Sequence, residues 1–83
     1  MRITEVVPKG DGTLYIKTDE GKAGLFDVNP YFESEAFAPL KDSREFARIH
    51  NGGYYIEWDC GADLSLDTIE ARWIPDAQIK YPT

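Results

Sequence analysis

An Asn51-Gly52 pair sits inside the alternating stretch Ala47 to Trp58, and no other feature of this sequence limits the fold so strongly. Asn-Gly readily takes the positive φ angles that a tight two-residue turn requires, so the stretch reads as a β-hairpin. A two-residue loop pairs His50 with Gly53, Ile49 with Tyr54 and Ala47 with Ile56. That register places Ala47, Ile49, Tyr54, Ile56 and Trp58 on one face, and Arg48, His50, Tyr55 and Glu57 on the other. Because side chains alternate with a period of two, slipping the loop by one residue would mix the two sets. Apolar and indole groups then belong inside, with Trp58 and Tyr54 as core aromatics.

Glycines punctuate the rest of the chain. Arg2 to Pro8 and Thr13 to Thr18 flank Gly10-Asp11-Gly12, whose Asp-Gly step suits a type I′ hairpin turn. Pro8 has no N–H to give to a ladder, which assigns the first strand to a sheet edge. Asp19-Glu20-Gly21 turns the chain again, with Gly21 expected in the left-handed region as a bulge. If Thr18 faces Lys22, Leu14 lies opposite Phe26 and Ile16 opposite Gly24. One face of this three-stranded meander then carries Leu14, Ile16, Phe26 and Val28, and the other carries Tyr15, Lys17 and Asp27.

The middle, Asn29 to Phe46, lacks strand alternation. Asn29-Pro30 has the form of an N-cap with proline at the first helical position, opening a turn or two through Phe32 and Glu33. Asp42-Ser43-Arg44-Glu45 resembles a capping box with Asp42 as the cap. Between them, Phe37, Pro39 and Leu40 are expected to plug the core without forming an element. Near the end, Ser65 caps a helix on which Leu66, Ile69 and Trp73 make an apolar stripe, Leu64 and Ile69 form a staple, and Asp67 meets the positive end of the dipole. Pro75 stops it. The expectation is one α+β domain over residues 1–75: a three-stranded antiparallel meander, short helical turns, a β-hairpin and a C-terminal helix. Residues 76–83 are expected to form a flexible tail.

Eighty-three residues bury only about 60–65% of their unfolded surface, enough for one modest core. The net charge of −6 comes with nine basic residues, no two of them adjacent. Without a basic patch to displace counterions from phosphates, direct nucleic-acid binding is not expected, and an acidic surface repels anionic membranes. A lone cysteine, Cys60, permits no internal disulfide and no cysteine-rich zinc framework. With no signal-peptide pattern and no apolar run near the ~18 residues of a membrane span, the expected location is the cytoplasm.

Catalytic chemistry finds no purchase. Cys60 and His50 are each unique, but the two-residue turn puts them at opposite ends of the hairpin, about 20 Å apart at ~3.3 Å per strand residue. A nucleophile and its base must be within hydrogen-bond reach. Asp59, Asp63 and Asp67 recur every four residues, which is not the alternating ligand pattern of a calcium loop. Asp63 is better placed to bond free backbone N–H groups before the helix, and Asp67 to meet the dipole. The expectation is therefore no enzyme, no cofactor and no metal.

Several ordered segments carry a family resemblance. Leu25-Phe26-Asp27-Val28-Asn29-Pro30, then Phe37-Ala38-Pro39-Leu40-Lys41-Asp42 with Phe46, then Ile56-Glu57-Trp58 with Gly61-Ala62-Asp63-Leu64, resemble the small bacterial domain-of-unknown-function family 2442. Asp59 and Cys60 stand where that family's pattern has Pro and Asn, and Leu66 stands where it has Pro. The resemblance implies a small α+β domain, alone or ahead of a helix-turn-helix module, often encoded beside another small protein as in a toxin–antitoxin pair. It implies no established activity. Together with the acidity, it leads to an expected protein-binding module, monomeric or homodimeric, that docks a small basic partner through a surface including Tyr55, Glu57, Trp58 and Asp63. The alternative expectation is a small-ligand-sensing or regulatory domain of a transcription-related system, with a pocket lined by Trp58 and Tyr54.

Overall fold

A computed structural model describes residues 1–75; the expected tail at 76–83 lies outside the described residues. Strands β1 (Ile3–Pro8), β2 (Thr13–Thr18) and β3 (Ala23–Asp27) form the antiparallel meander, with β1 at its edge. Leu14 faces Phe26 and Ile16 faces Gly24, as the pattern of apolar residues requires. Leu14, Ile16, Phe26 and Val28 are all buried, whereas Lys17 and Asp27 on the opposite face are exposed.

Both meander turns end on a glycine in the left-handed region, Gly12 at φ +83° and Gly21 at φ +81°. The second turn matches its expectation. The first is not type I′, because Asp11 keeps a negative φ. Gly10-Asp11-Gly12 instead forms a three-residue loop, closed by the Lys9 N–H donating to the Thr13 carbonyl at 2.8 Å.

The middle segment is a chain of short helical turns. A 3-10 turn spans Asn29–Glu33, a second spans Ala38–Lys41, and α1 follows at Ser43–Phe46. Asn29 is not the N-cap of the first. That position falls to Val28, while the Asn29 amide donates to the Asp11 carbonyl and to the Asp27 carboxylate, tying this turn to the first hairpin. Segment 38–41 does form an element, and it buries Leu40 while leaving Pro39 exposed. Asp42 caps α1 as expected, its carboxylate accepting the Arg44 N–H at 2.9 Å.

The second sheet has the order β4 (Ile49–Asn51), β5 (Tyr55–Trp58) and β6 (Asp63–Ser65), all antiparallel. Its hairpin exists, but in a different register. Ile49 pairs with Trp58, not Tyr54, and His50 pairs with Glu57, not Gly53. The displacement is four residues, an even number, so Ile49, Ile56 and Trp58 stay inward and His50, Tyr55 and Glu57 stay outward. Asn51 explains why the two-residue turn gives way. Its side-chain amide donates to the Ile3 carbonyl at 2.8 Å and its oxygen accepts the Gly53 N–H, while the Gly53 carbonyl accepts the Ile3 N–H at 2.7 Å. Asn51 is thus spent in fastening the second sheet to β1, and the bend moves on to Gly53 (φ +87°) and Tyr54. Tyr54 is carried out of the core to 64% exposure, and Ala47 ends α1 on the surface without joining the strand.

Helix α2 spans Leu66–Arg72. Ser65 caps it by accepting the Thr68 N–H, and Leu64, Leu66 and Ile69 are buried beneath it. It stops before Pro75 exerts any effect, because Trp73 is already extended. Ile74–Pro75 then forms β7, which extends the meander by pairing with β3. One core joins both sheets and α2, centred on Trp58, whose indole stacks on Phe46 (centroids 6.0 Å apart) and donates its N–H to the Phe46 carbonyl at 3.0 Å. Among the described residues no helix is long and apolar enough to cross a membrane.

Candidate functional site

The outer face of the second sheet gathers most of the expected interaction residues. Alternation sends Tyr55 and Glu57 outward from β5 and Asp63 and Ser65 outward from β6, all exposed. Cross-strand pairing arranges them in rows. His50, Glu57 and Asp63 lie side by side across β4, β5 and β6, and Tyr55 lies beside Ser65 in the next row. The β5–β6 turn adds Asp59, whose carboxylate accepts a hydrogen bond from the His50 imidazole Nε2–H, and whose backbone N–H donates to the Arg48 carbonyl.

Two features of this face depend on close contacts. The Tyr55 ring lies so near Gly52 that a Cβ there would stand 2.3 Å from ring atom Cζ, so only glycine leaves the ring its seat. Glu57 and Asp63 are directly opposite each other, and like charges at such positions repel. Neither carboxylate is in an ion pair among the described residues. The outer face of β5 and β6 and the turn that joins them thus presents three carboxylates, from Glu57, Asp59 and Asp63, on the same sheet as the exposed Tyr55 ring.

Trp58 does not belong to this surface. It points to the opposite face of β5 and is 1% exposed, so its part is to hold the strand from beneath. Asp63 likewise does not brace the helix start, since it lies in a strand and the cap is Ser65. The expected pocket lined by Trp58 and Tyr54 is not formed, with one buried and the other exposed.

The observed register removes the basis for the 20 Å separation of His50 and Cys60, because His50 now sits near the Asp59-Cys60-Gly61 turn. The imidazole is nonetheless engaged with the Asp59 carboxylate, and Cys60 is an exposed free thiol. No group of three or more metal-ligating side chains occurs among the described residues.

A cleft that sequence reasoning missed opens on a different side. It has a volume of about 370 Å³ and lies between the Lys9–Gly12 loop, Asn29 and Phe32 of the first 3-10 turn, Leu40 and Lys41 of the second, and α1. Its walls come from three separate chain segments, so no local motif announces it. Asp11 turns away from it in function if not in place: the Thr13 hydroxyl, then the Thr13 N–H, hold its carboxyl below the ordinary carboxylate value.

Residues 3–75 match the family model described as "Protein of unknown function (DUF2442)". No curated protein and no solved structure matches the chain.

Proposed function

Because the chain belongs to the DUF2442 family of proteins of unknown function, its task must be argued from its own surface, and we propose that it is a protein-docking module and not an enzyme. The partner is a small basic protein encoded beside it, in the manner of an antitoxin and its toxin. The observation that carries this reading is the outer face of the second sheet, where exposed Tyr55 stands in the row next to Glu57 and Asp63, which face each other and are in no ion pair among the described residues. Aromatic residues that become buried on docking supply much of an interface's energy, and charge complementarity sets partner choice and encounter rate. A lysine or arginine brought between Glu57 and Asp63 would relieve their repulsion, which costs the free domain roughly 0.2–1 kcal/mol. The net charge of −6 steers the same class of partner from a distance.

Calorimetric titration with the adjacent gene product tests the proposal. Wild type forms a complex, the Glu57→Lys/Asp63→Lys double variant binds at least about tenfold more weakly, and raising the salt weakens the wild-type complex. Equal affinity of variant and wild type, or no complex at all, would sink it.

A further inference from the structure

Asn51-Gly52 has a chemical property apart from its turn propensity. The Gly52 nitrogen can attack the Asn51 side-chain carbonyl carbon, and a residue without a Cβ hinders that approach least. The chain's other asparagine, Asn29, precedes Pro30, whose nitrogen has no proton to lose, so it lacks this route. In the folded chain both reacting groups are held. The Asn51 amide donates to the Ile3 carbonyl at 2.8 Å, and its oxygen accepts the Gly53 N–H at 2.8 Å. The Gly52 N–H donates to the Tyr55 carbonyl at 2.9 Å, and the Tyr55 ring lies against the glycine. The same asparagine is structural. With the bond from the Ile3 N–H to the Gly53 carbonyl, its amide joins β1 to the second sheet.

We propose that Asn51 is a deamidation site guarded by its own hydrogen bonds, and that its conversion irreversibly loosens β1 from the second sheet. The Gly52 nitrogen gives its proton to a solvent base and bonds to Asn51 Cγ. The Cγ–Nδ2 bond then breaks, and the nitrogen takes up a proton and leaves as ammonia. Water opens the resulting succinimide at either carbonyl, giving aspartate or isoaspartate, so one water is consumed for each ammonia released. Both products put a carboxylate in place of the amide that donates to the Ile3 carbonyl, leaving that carbonyl without its donor. Isoaspartate also adds a methylene to the backbone ahead of Gly52. No partner enters this chemistry, so it stands or falls apart from the docking reading.

The test incubates the full chain in mildly alkaline heavy-oxygen water, folded and in urea, and maps the modified peptides by mass spectrometry. Heavy oxygen is expected at residue 51, as aspartate and isoaspartate, with Asn29 unmodified. The folded chain should react at least about tenfold more slowly than the chain in urea, because the guarding bonds must open first. Tyr55→Ala uncovers Gly52 and should raise the folded rate several-fold. The consequence is read by amide hydrogen exchange on Asn51→Asp and on deamidated wild type separated by anion exchange. The Ile3 and Gly53 amides should exchange at least about tenfold faster than before conversion, while those of β2 keep their protection. Equal rates folded and in urea, unchanged exchange at Ile3 and Gly53, or an equal loss of protection in β2 would each overturn the proposal.

Discussion

Replacing Trp58 by Phe probes the core beneath the outer face of the second sheet, and the structure sets the size of the effect. The indole is 1% exposed, and its N–H is the donor to the Phe46 carbonyl inside the core. Phenylalanine leaves that carbonyl without this donor, at about 1–3 kcal/mol. It also leaves a void where the second ring packed, adding about 1 kcal/mol. The sum, roughly 2–4 kcal/mol, is a large share of the ~4–12 kcal/mol that a domain of this length commands. With an unfolding entropy near 2.1 cal/mol/K per residue, the melting temperature should fall by about 11–23 °C. Thermal unfolding followed by far-UV circular dichroism measures this, with Trp73→Phe, half-buried at the margin of the core, as a control that shifts by only a few degrees. A fall below about 5 °C for Trp58→Phe would refute the reasoning, because no buried, hydrogen-bonded indole could be removed at so small a cost.

Other substitutions test other contacts. Gly52→Ala should dislodge the Tyr55 ring and weaken partner binding several-fold, while Tyr55→Ala in the same background adds little more, as a double-mutant cycle by calorimetry will register. Glu57→Lys places opposite charges across β5 and β6, and should raise the free domain's stability by about 0.2–1 kcal/mol in urea unfolding while it reduces binding. Ser65→Ala removes the cap of α2 and should cost about 1 kcal/mol by the same assay. The Asp42 carboxyl is held below the ordinary value of 3.8 by the Arg44 N–H and then the Arg44 side chain. Its folded pKa being depressed, its contribution is present above the unfolded value and is lost as the pH falls through the folded one. Melting temperature should therefore drop as the pH is lowered below 3.8, and Asp42→Asn should flatten part of that fall.

Where local chemistry and the hydrophobic pattern agreed, the sequence could be read directly. Leu14, Ile16, Phe26 and Val28 need burial, and only one meander register buries them together, so β2 and β3 pair as the pattern requires. Asp42 and Ser65 cap their helices for reasons contained within a few residues. Asn51 shows the opposite case. Its turn propensity is real but is overridden by two long-range hydrogen bonds, from the Asn51 amide to the Ile3 carbonyl forty-eight residues away and from the Ile3 N–H to the Gly53 carbonyl, which no local window contains. The same long-range tie expelled Tyr54 from the core.

The candidate site was partly legible for a reason of symmetry. A four-residue slip keeps parity, so Tyr55 and Glu57 stay outward and Trp58 inward even though every partner changes. What the slip alters is neighbourhood. His50 comes beside Glu57 and reaches Asp59, and β6, a strand the Asp63 loop reading overlooked, brings Asp63 against Glu57. The cleft could not be seen in sequence, because the Lys9–Gly12 loop, Phe32 and α1 meet only once the helical turns fold back onto the first hairpin.

The proposed docking face rests on the rows that cross the second sheet, and a nuclear Overhauser spectrum of the free chain reports on them directly. Cross-strand contacts linking Ile49 to Trp58 and Glu57 to both His50 and Asp63 are predicted. Contacts linking Ile49 to Tyr54 and His50 to Gly53 would instead establish the two-residue turn, separate His50 from Glu57 and Asp59, and contradict the account of the site.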